Sequence, residues 1–258
     1  MTSICKKLKN RREDLLCALF WLCVWQAASM LVGQEILLAS PAATARALLR
    51  LLRQASFYRS VLNSFGRILL GFVLGLSSGV LLAVLSLYSR GLRALLRLPM
   101  QAVKAAPVAS FIILALVWFS SRHISVFISY LMVLPAIYLN TLSGLSAADP
   151  KLLEMAKVFS VSPGRVLRQI RLPAAVPHLL TACHLSLGLC WKAGIAAEVI
   201  GQPDRSIGDA LFRSKLFLLT DELFAWTLII VILSVVFEKA AVGALTRIAN
   251  RRGAAGHD

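Results

Sequence analysis

Charge is scarce in this chain, and negative charge scarcest of all. Only 16% of its 258 residues are Asp, Glu, Lys or Arg, and 12 are acidic, against roughly 25% charged in an ordinary soluble domain. No G-x-x-x-x-G-K-[ST] stretch occurs, so the usual loop that cradles nucleotide phosphates is missing. Cys5, Cys17, Cys23, Cys183 and Cys190 lack the paired spacing of a metal site. Four of them lie in apolar runs, where cysteine is expected to serve as a small packing residue. His123, His178, His184 and His257 show no ligand spacing either. A metal centre or an embedded enzyme therefore ranks last, and no cofactor is expected.

What the chain has in abundance is apolar surface. Hydrophobic residues make up 58% and the mean hydropathy is +0.76, which predicts an all-α integral membrane protein. Six spans of about 20 residues each would use half of the chain and leave no room for a large soluble domain. The net charge of +16 would suggest nucleic acid in a soluble protein. Here it reads as basic loops at a bilayer, with no nucleic-acid partner.

Charge-free windows place the spans, since a helix crossing hydrocarbon carries few ionised groups. The first is Leu15 to Gln34, too long and without the cleavage site of a signal peptide. Ile68 to Ser89 gives the second and Ala105 to Ser121 the third, with Pro107 near its start. The fourth is Ile124 to Ala148, where Pro135 should kink the helix. A fifth starts at Ala174 and runs past Trp191 toward Glu198, and the sixth covers Leu223 to about Leu245. Loops on one side then hold eighteen Lys and Arg against eight on the other, which predicts cytoplasmic N- and C-termini.

The resulting organisation is a basic N-terminus (1–14), a first span (15–38), an outer segment (39–62), a five-helix core (63–245) and a tail (246–258). In the outer segment Arg46, Arg50 and Arg53 recur at helical spacing beside Leu48, Leu49, Leu51 and Leu52. That pattern predicts an amphipathic helix at the interface, its arginines reaching headgroups.

The connection 149–177 is too polar to span and too long for a tight turn, and long loops usually have a task. Asp149 and Pro150 suit a helix start. Leu152, Leu153, Ala156 and Val158 give a short helix through Phe159 a mainly apolar face. Ser162, Pro163 and Gly164 then break it. A second short helix from Arg165 to Arg171 is expected, with Pro173 and Pro177 marking the turn back into the membrane.

This connection resembles the cytoplasmic loop of binding-protein-dependent ABC importer permeases, written E-A-A, three residues, G, nine residues, I-x-L-P. Glu154, Met155 and Ala156 stand for E-A-A, Ser160 for the glycine, and Ile170, Leu172 and Pro173 for I-x-L-P, every spacing kept. Ser64, Arg67, Gly71 and Phe72 are similar to the S-x-x-R-x-x-x-G-F of the nitrate, sulfonate and taurine branch. Trp191 through Glu198 is similar to its W-x-x-x-x-x-x-E. The resemblance covers roughly residues 60 to 245.

It implies a six-helix, type I importer permease fold (MetI-like) in the plasma (inner) membrane. It implies a separate ABC ATP-binding subunit gripping the loop, an extracytoplasmic solute-binding protein, and a second permease subunit, in a homodimer or close heterodimer. Glu154 and Ala156 would lie at the docking surface, Ser160 at the bend, and Leu172 and Pro173 at the hinge. Two positions depart from the family: Ser160 replaces the loop glycine, and Ser206-Ile207-Gly208 stands where relatives often have G-L-G. A positive φ at Ser160 would strain the backbone by roughly 1 kcal/mol.

Ionised groups within spans are functional candidates. Lys192 and Glu198 are about 240° apart around a helix and do not pair on one face. Lys192 either lines an anion path or snorkels, and Glu198 is a structural or gating candidate near the outer end. Asn140 reads as an interhelical hydrogen-bonding group and His184 as a packing residue. Gly71, Gly75 and Gly79 read as a stripe for close helix approach. The alternative to an importer permease is a transporter or channel driven by an ion gradient. That class predicts broken-helix ion sites and an internal repeat, neither of which is visible.

Overall fold

Helices satisfy their backbone polar groups internally, and the computed structural model builds the chain from them throughout. It describes the backbone of residues 2–254 and the side chains of residues 16–243. In chain order the helices are α1 (Thr2–Val32), α2 (Pro41–Leu52), α3 (Ala55–Tyr88), α4 (Arg90–Ala105), α5 (Val108–Ala115) and α6 (Ser121–Ser146). There follow α7 (Pro150–Val158), α8 (Pro163–Val166), a π-helical turn (Leu167–Arg171), α9 (Leu172–Gly201), α10 (Ile207–Leu216) and α11 (Thr220–Ala254). No strand occurs among the described residues.

Among the described residues four stretches are long and apolar enough to cross a membrane, Ala55–Tyr88, Ser121–Ser146, Pro163–Gly201 and Thr220–Gly243, and a fifth is reached if the bent pair Arg90–Ala105 and Val108–Ala115 counts as one span. α1 ends at Val32, where Gly33 takes φ +65° and stops the helix, close to the expected end of the first span. The expectation of six spans needs correction at the third. The third span is not one helix. Pro107 forces Ala106 into extended geometry (φ −80°, ψ 145°), as a residue preceding proline must be, and α4 and α5 meet there at 107°. The connection into that break is itself helical: α4 turns Leu92, Leu96, Met100 and Val103 inward at intervals of four, four and three residues, and leaves its arginines in the open.

The contacts divide the chain into two compact units. One holds the chain through Arg59 together with Ala210–Ile230; the other holds Ser60–Asp209 and the chain from Val231 onward.

Within the first unit, Trp25 Nε1 donates to the Ala39 carbonyl and Ser29 Oγ to the Leu38 carbonyl, each at 3.0 Å, which fixes the turn after α1. Ser40 caps α2 through the Ala43 amide and Pro41 occupies its first turn. The expected amphipathic helix is there: Ala43, Thr44, Ala47 and Leu51 are buried while Arg46, Arg50 and Arg53 are exposed. Arg50 forms an ion pair with Asp221.

The second unit is organised around α6 and α9. One apolar cluster joins Ala83, Met100, Leu134, Tyr138, Leu142, Leu145 and Ala175, and another joins Ile112, Ala115, Ile124, Ile128, Ala193 and Ala197. Burial from water gives little drive between helices in lipid, so close packing has to supply it. The Gly71, Gly75 and Gly79 stripe does this. A Cβ on each would lie 2.5 Å from the Val126 carbonyl, 2.8 Å from Val133 Cβ and 2.8 Å from Ile137 Cγ2 respectively, so α3 rests directly on α6. Tyr138 donates to Ser86 Oγ at 3.1 Å and Ser129 to the Cys190 carbonyl at 3.3 Å, each worth about 0.6 kcal/mol on average in a membrane. Cys183 and Cys190 are buried as packing residues, whereas Cys17 and Cys23 are exposed.

Candidate functional site

The connection between α6 and α9 forms an elbow whose roots are tied and whose tip is bare. Asp149 caps α7 by accepting from the Lys151 amide at 2.9 Å, and Pro150 fills the first helical position. The helix ends in a Schellman turn: the Val161 amide donates to the Ala156 carbonyl at 2.9 Å and the Ser160 amide to the Lys157 carbonyl at 3.1 Å. Ser160 sits at the left-handed position with φ 52°. The positive φ anticipated where relatives carry glycine is therefore real in this chain.

The apolar face of α7 is not the one expected. Ala156 is buried and Leu153 half-buried, but Leu152, Met155, Val158 and Phe159 are exposed, Val158 to 80% and Phe159 to 74%. Leu152, Met155 and Phe159 fall at i, i+3 and i+7, a single ridge. Glu154 is exposed on the adjoining row.

The second half of the elbow also differs. Instead of a separate helix from Arg165 to Arg171 and a turn at Pro173 and Pro177, a helix starting at Pro163 and Gly164 runs through the π turn into α9, continuous as Pro163–Gly201. Proline lacks the amide that an interior turn would use, and the wider turn, closed by the Leu172 amide on the Leu167 carbonyl, admits Pro173 at the start of α9. Leu167 and Leu172 pack against the cluster around Leu142 and Leu145, and Ile170 is half-buried. Arg171 Nη1 donates to the Leu145 carbonyl at 2.9 Å, satisfying an acceptor in the last turn of α6. Elbow and bundle are thus joined by packing and by a charge-assisted hydrogen bond.

The far end of α9 holds a second constellation. Glu198 is fully buried. Ser64 Oγ donates to its Oε2 at 2.5 Å and accepts from the Ile207 amide at 2.9 Å. The Gly208 amide points at the same Oε2 from 3.4 Å. Arg67 Nη1 stands 3.5 Å from Oε1, an ion pair without hydrogen-bond geometry. Arg67 Nη2 also reaches the Asp204 carbonyl at 3.4 Å, and Asn63 Nδ2 donates to the Arg205 carbonyl at 3.1 Å.

A Cβ at Gly208 would lie 2.3 Å from Glu198 Cβ and 2.4 Å from its carbonyl carbon. The backbone entering α10 therefore touches α9 where only glycine fits. Ser206 needs no glycine: its φ is not positive, and its Oγ accepts from the Asp209 amide at 2.9 Å, capping α10. The spacing Ser206-x-x-Asp209 is the signal from which that cap could have been found.

The remaining candidates scatter. Lys192 is exposed on α9 and stands apart from Glu198. Asn140 does not bridge helices: its Nδ2 donates to the Ala136 carbonyl of its own helix at 2.8 Å, which a short amide side chain reaches readily. His184 is not a packing residue. Its side chain is 55% exposed, and its Nδ1 lies 3.3 Å from Glu238 Oε1.

Residues 61–252 match the family described as binding-protein-dependent transport system inner membrane component. The chain belongs to that family. It is an ABC importer permease of the nitrate, sulfonate and taurine branch, a transport component and not an enzyme. Among its relatives is a permease named for aliphatic sulfonate transport, SsuC of Bacillus subtilis, 26% identical over 80% of this chain and 75% of that protein. The Escherichia coli SsuC is 30% identical over 77% and 76%. The nitrate import permease NrtB of Synechococcus elongatus is 24% identical over 78% and 76%. In fold, the permease resembles a chain of a bacterial ABC transporter that imports the acidic polysaccharide alginate. The TM-score is 0.63 at 17% identity, covering 95% of this chain and 96% of that one. A chain of an amino acid ABC transporter gives 0.60 at 16% identity, covering 76% and 93%. Three residues that carried the resemblance in sequence meet in one cluster, Ser64 hydrogen-bonded to Glu198 and Arg67 paired with it by charge, and Gly71 and Trp191 are buried.

Proposed function

We propose that this permease forms the translocation path for a small anionic or heteroaromatic solute across the plasma (inner) membrane, both termini cytoplasmic, and that it takes its energy through the elbow from a separate ATP-hydrolysing subunit. The observation that carries this reading is the bare ridge of Leu152, Met155 and Phe159, with Val158 and Glu154 beside it. Each large apolar side chain left in water forgoes about 1.5–3 kcal/mol of burial, which favours a protein partner over solvent. Glu154, Met155 and Ala156 would form the docking surface, Ser160 and Gly164 the bend, and Ile170, Leu172 and Pro173 the stiff root. Closure of the ATPase pair would push the elbow, and the Arg171 and Leu172 contacts would pass the movement to α6 and α9.

A solute-binding protein would deliver the substrate outside, and a second permease subunit, most simply an identical copy, would complete the path. The names of the relatives, with their sulfonates and nitrate, favour an oxyanion as substrate. Glu198 acts in this scheme as a latch holding the α9–α10 loop, Lys192 lines the path, and Asn140 stiffens α6. Uptake measured with ATP depleted and the ion gradient preserved tests the energy source: accumulation stops if the reading holds, and continued accumulation would mark a gradient-driven transporter.

A further inference from the structure

Charges of opposite sign line one cleft of the first unit without closing on each other. Arg46, Arg50 and Arg53 fall at i, i+4 and i+7 on α2, within an arc of about 60°, and the row expected to reach headgroups singly instead walls a common space. With Glu35, Leu49 and Asp221 they enclose about 510 Å³, a size usual for small ligands at roughly 300–1,000 Å³. Arg50 is neutralised by its ion pair with Asp221. Arg46, Arg53 and Glu35 are exposed, and none has an oppositely charged group at ion-pair distance among the described residues. Arg46 Nε donates to the Ala42 carbonyl at 3.3 Å, which leaves both of its Nη groups to donate elsewhere. Two guanidiniums and one carboxylate thus remain around the same space. That set matches a zwitterion, whose oxyanion suits the guanidiniums and whose ammonium suits the carboxylate. A simple anion would leave Glu35 opposing it.

Position and rim favour a lipid as the bearer of those charges. Glu35 comes just after the end of α1 at Val32, and Asp221 opens the stretch Thr220–Gly243 that is apolar enough to span. Thr220 Oγ1 donates to the Ile36 carbonyl and ties the two places together. The cleft therefore lies where apolar helices end, which is the level of headgroups. Ile36, Leu37 and Leu49 are 61%, 67% and 58% exposed, apolar surface beside the charges that acyl chains would cover. We propose that this cleft binds the headgroup of an aminophospholipid, its phosphodiester held by Arg46 and Arg53, its ammonium by Glu35, and its chains laid along Ile36, Leu37 and Leu49. Arg50 and Asp221 fix the wall. Such a lipid is a resident of the permease surface and not the transported solute.

The test places the intact transporter in nanodiscs of phosphatidylcholine, whose quaternary ammonium donates no hydrogen bond. A trace of phosphatidylethanolamine with a photoreactive acyl chain is added, and the labelled peptide is mapped. Label should fall on α2 and the turn before it, and unlabelled phosphatidylethanolamine should displace it at about one tenth of the amount required of phosphatidylglycerol, the worth of roughly one charge-assisted hydrogen bond. Arg46→Gln combined with Arg53→Gln should raise the phosphatidylethanolamine required by about tenfold, and Glu35→Gln should bring the two lipids level. All three side chains are exposed, so thermal midpoints should match the parent. Glycerophosphoethanolamine, the same headgroup without chains, separates a lipid from a soluble zwitterion and should leave the label in place. Displacement by it, phosphatidylglycerol as effective as phosphatidylethanolamine in the parent, or displacement unchanged by the double arginine variant would each overturn the proposal. Label absent from α2 would overturn it too, and would leave the arginines to an acidic protein surface.

Discussion

Ser64 Oγ bridges Glu198 Oε2 at 2.5 Å and the Ile207 amide at 2.9 Å, so one hydroxyl joins α3, α9 and the start of α10. Ser64→Ala removes both partners at once and leaves a buried carboxylate oxygen and a buried amide with less than they need. The expected loss is about 1–3 kcal/mol, read as a lower thermal midpoint of the detergent-purified permease. Glu198→Ala should cost more, about 3–5 kcal/mol, because it also strips Arg67 of its buried counter-charge. Equal midpoints for both variants and the parent would contradict the latch.

Gly208→Ala is predicted to be damaging despite the smallness of the change. The added methyl would sit 2.3 Å from Glu198 Cβ and beside α9 backbone, where nothing flexible can give way. Overpacking of about 1–3 kcal/mol is expected. Ser206→Gly should be milder, losing only a cap worth about 1 kcal/mol or less. Comparing the two midpoints checks the order.

Ser160→Gly is expected to stabilise. The residue holds φ 52° in the turn after α7, where a Cβ costs roughly 1 kcal/mol. The midpoint should rise by about 2–4 °C, and Ser160→Val should lower it. A fall for Ser160→Gly would mean that the hydroxyl, not the backbone, governs this position.

Glu154→Arg reverses a charge on an exposed row of α7 without touching the buried Ala156. Membrane insertion and thermal midpoint should stay close to the parent, while co-purification of the ATP-hydrolysing subunit is lost. Retained co-purification would remove Glu154 from the docking surface.

Much of this architecture was legible from residue spacing. Apolar windows located α3, α6, α9 and α11, because hydrocarbon excludes charge over a whole helix length. The Gly71, Gly75 and Gly79 stripe and the Asp149–Pro150 helix start were likewise written in local sequence. Local pattern failed where the outcome depends on a wider setting. Pro107 breaks the third span because it fixes Ala106, while Pro173 and Pro177 break nothing, since a π turn absorbs the first and α9 runs through the second. The exposed ridge of α7 escaped notice because its apolar residues surround the helix, and only the packing of Ala156 decides which side stays bare. His184 read as a core residue from its leucine neighbours, and Glu238, 54 positions away in sequence, gave no hint of their meeting. Ser64, Arg67 and Glu198 were each recognisable singly, but their convergence is a tertiary fact.

The claim on which the mechanism rests is that the elbow is held by a motor subunit. A cysteine placed at Phe159, on the bare ridge of α7, tests it when a short thiol-reactive crosslinker is applied to the intact transporter in membranes. The account predicts one dominant adduct with the ATP-hydrolysing subunit and a loss of uptake once it forms. Adducts with lipid or with the permease alone, while uptake continues unimpaired, would contradict it.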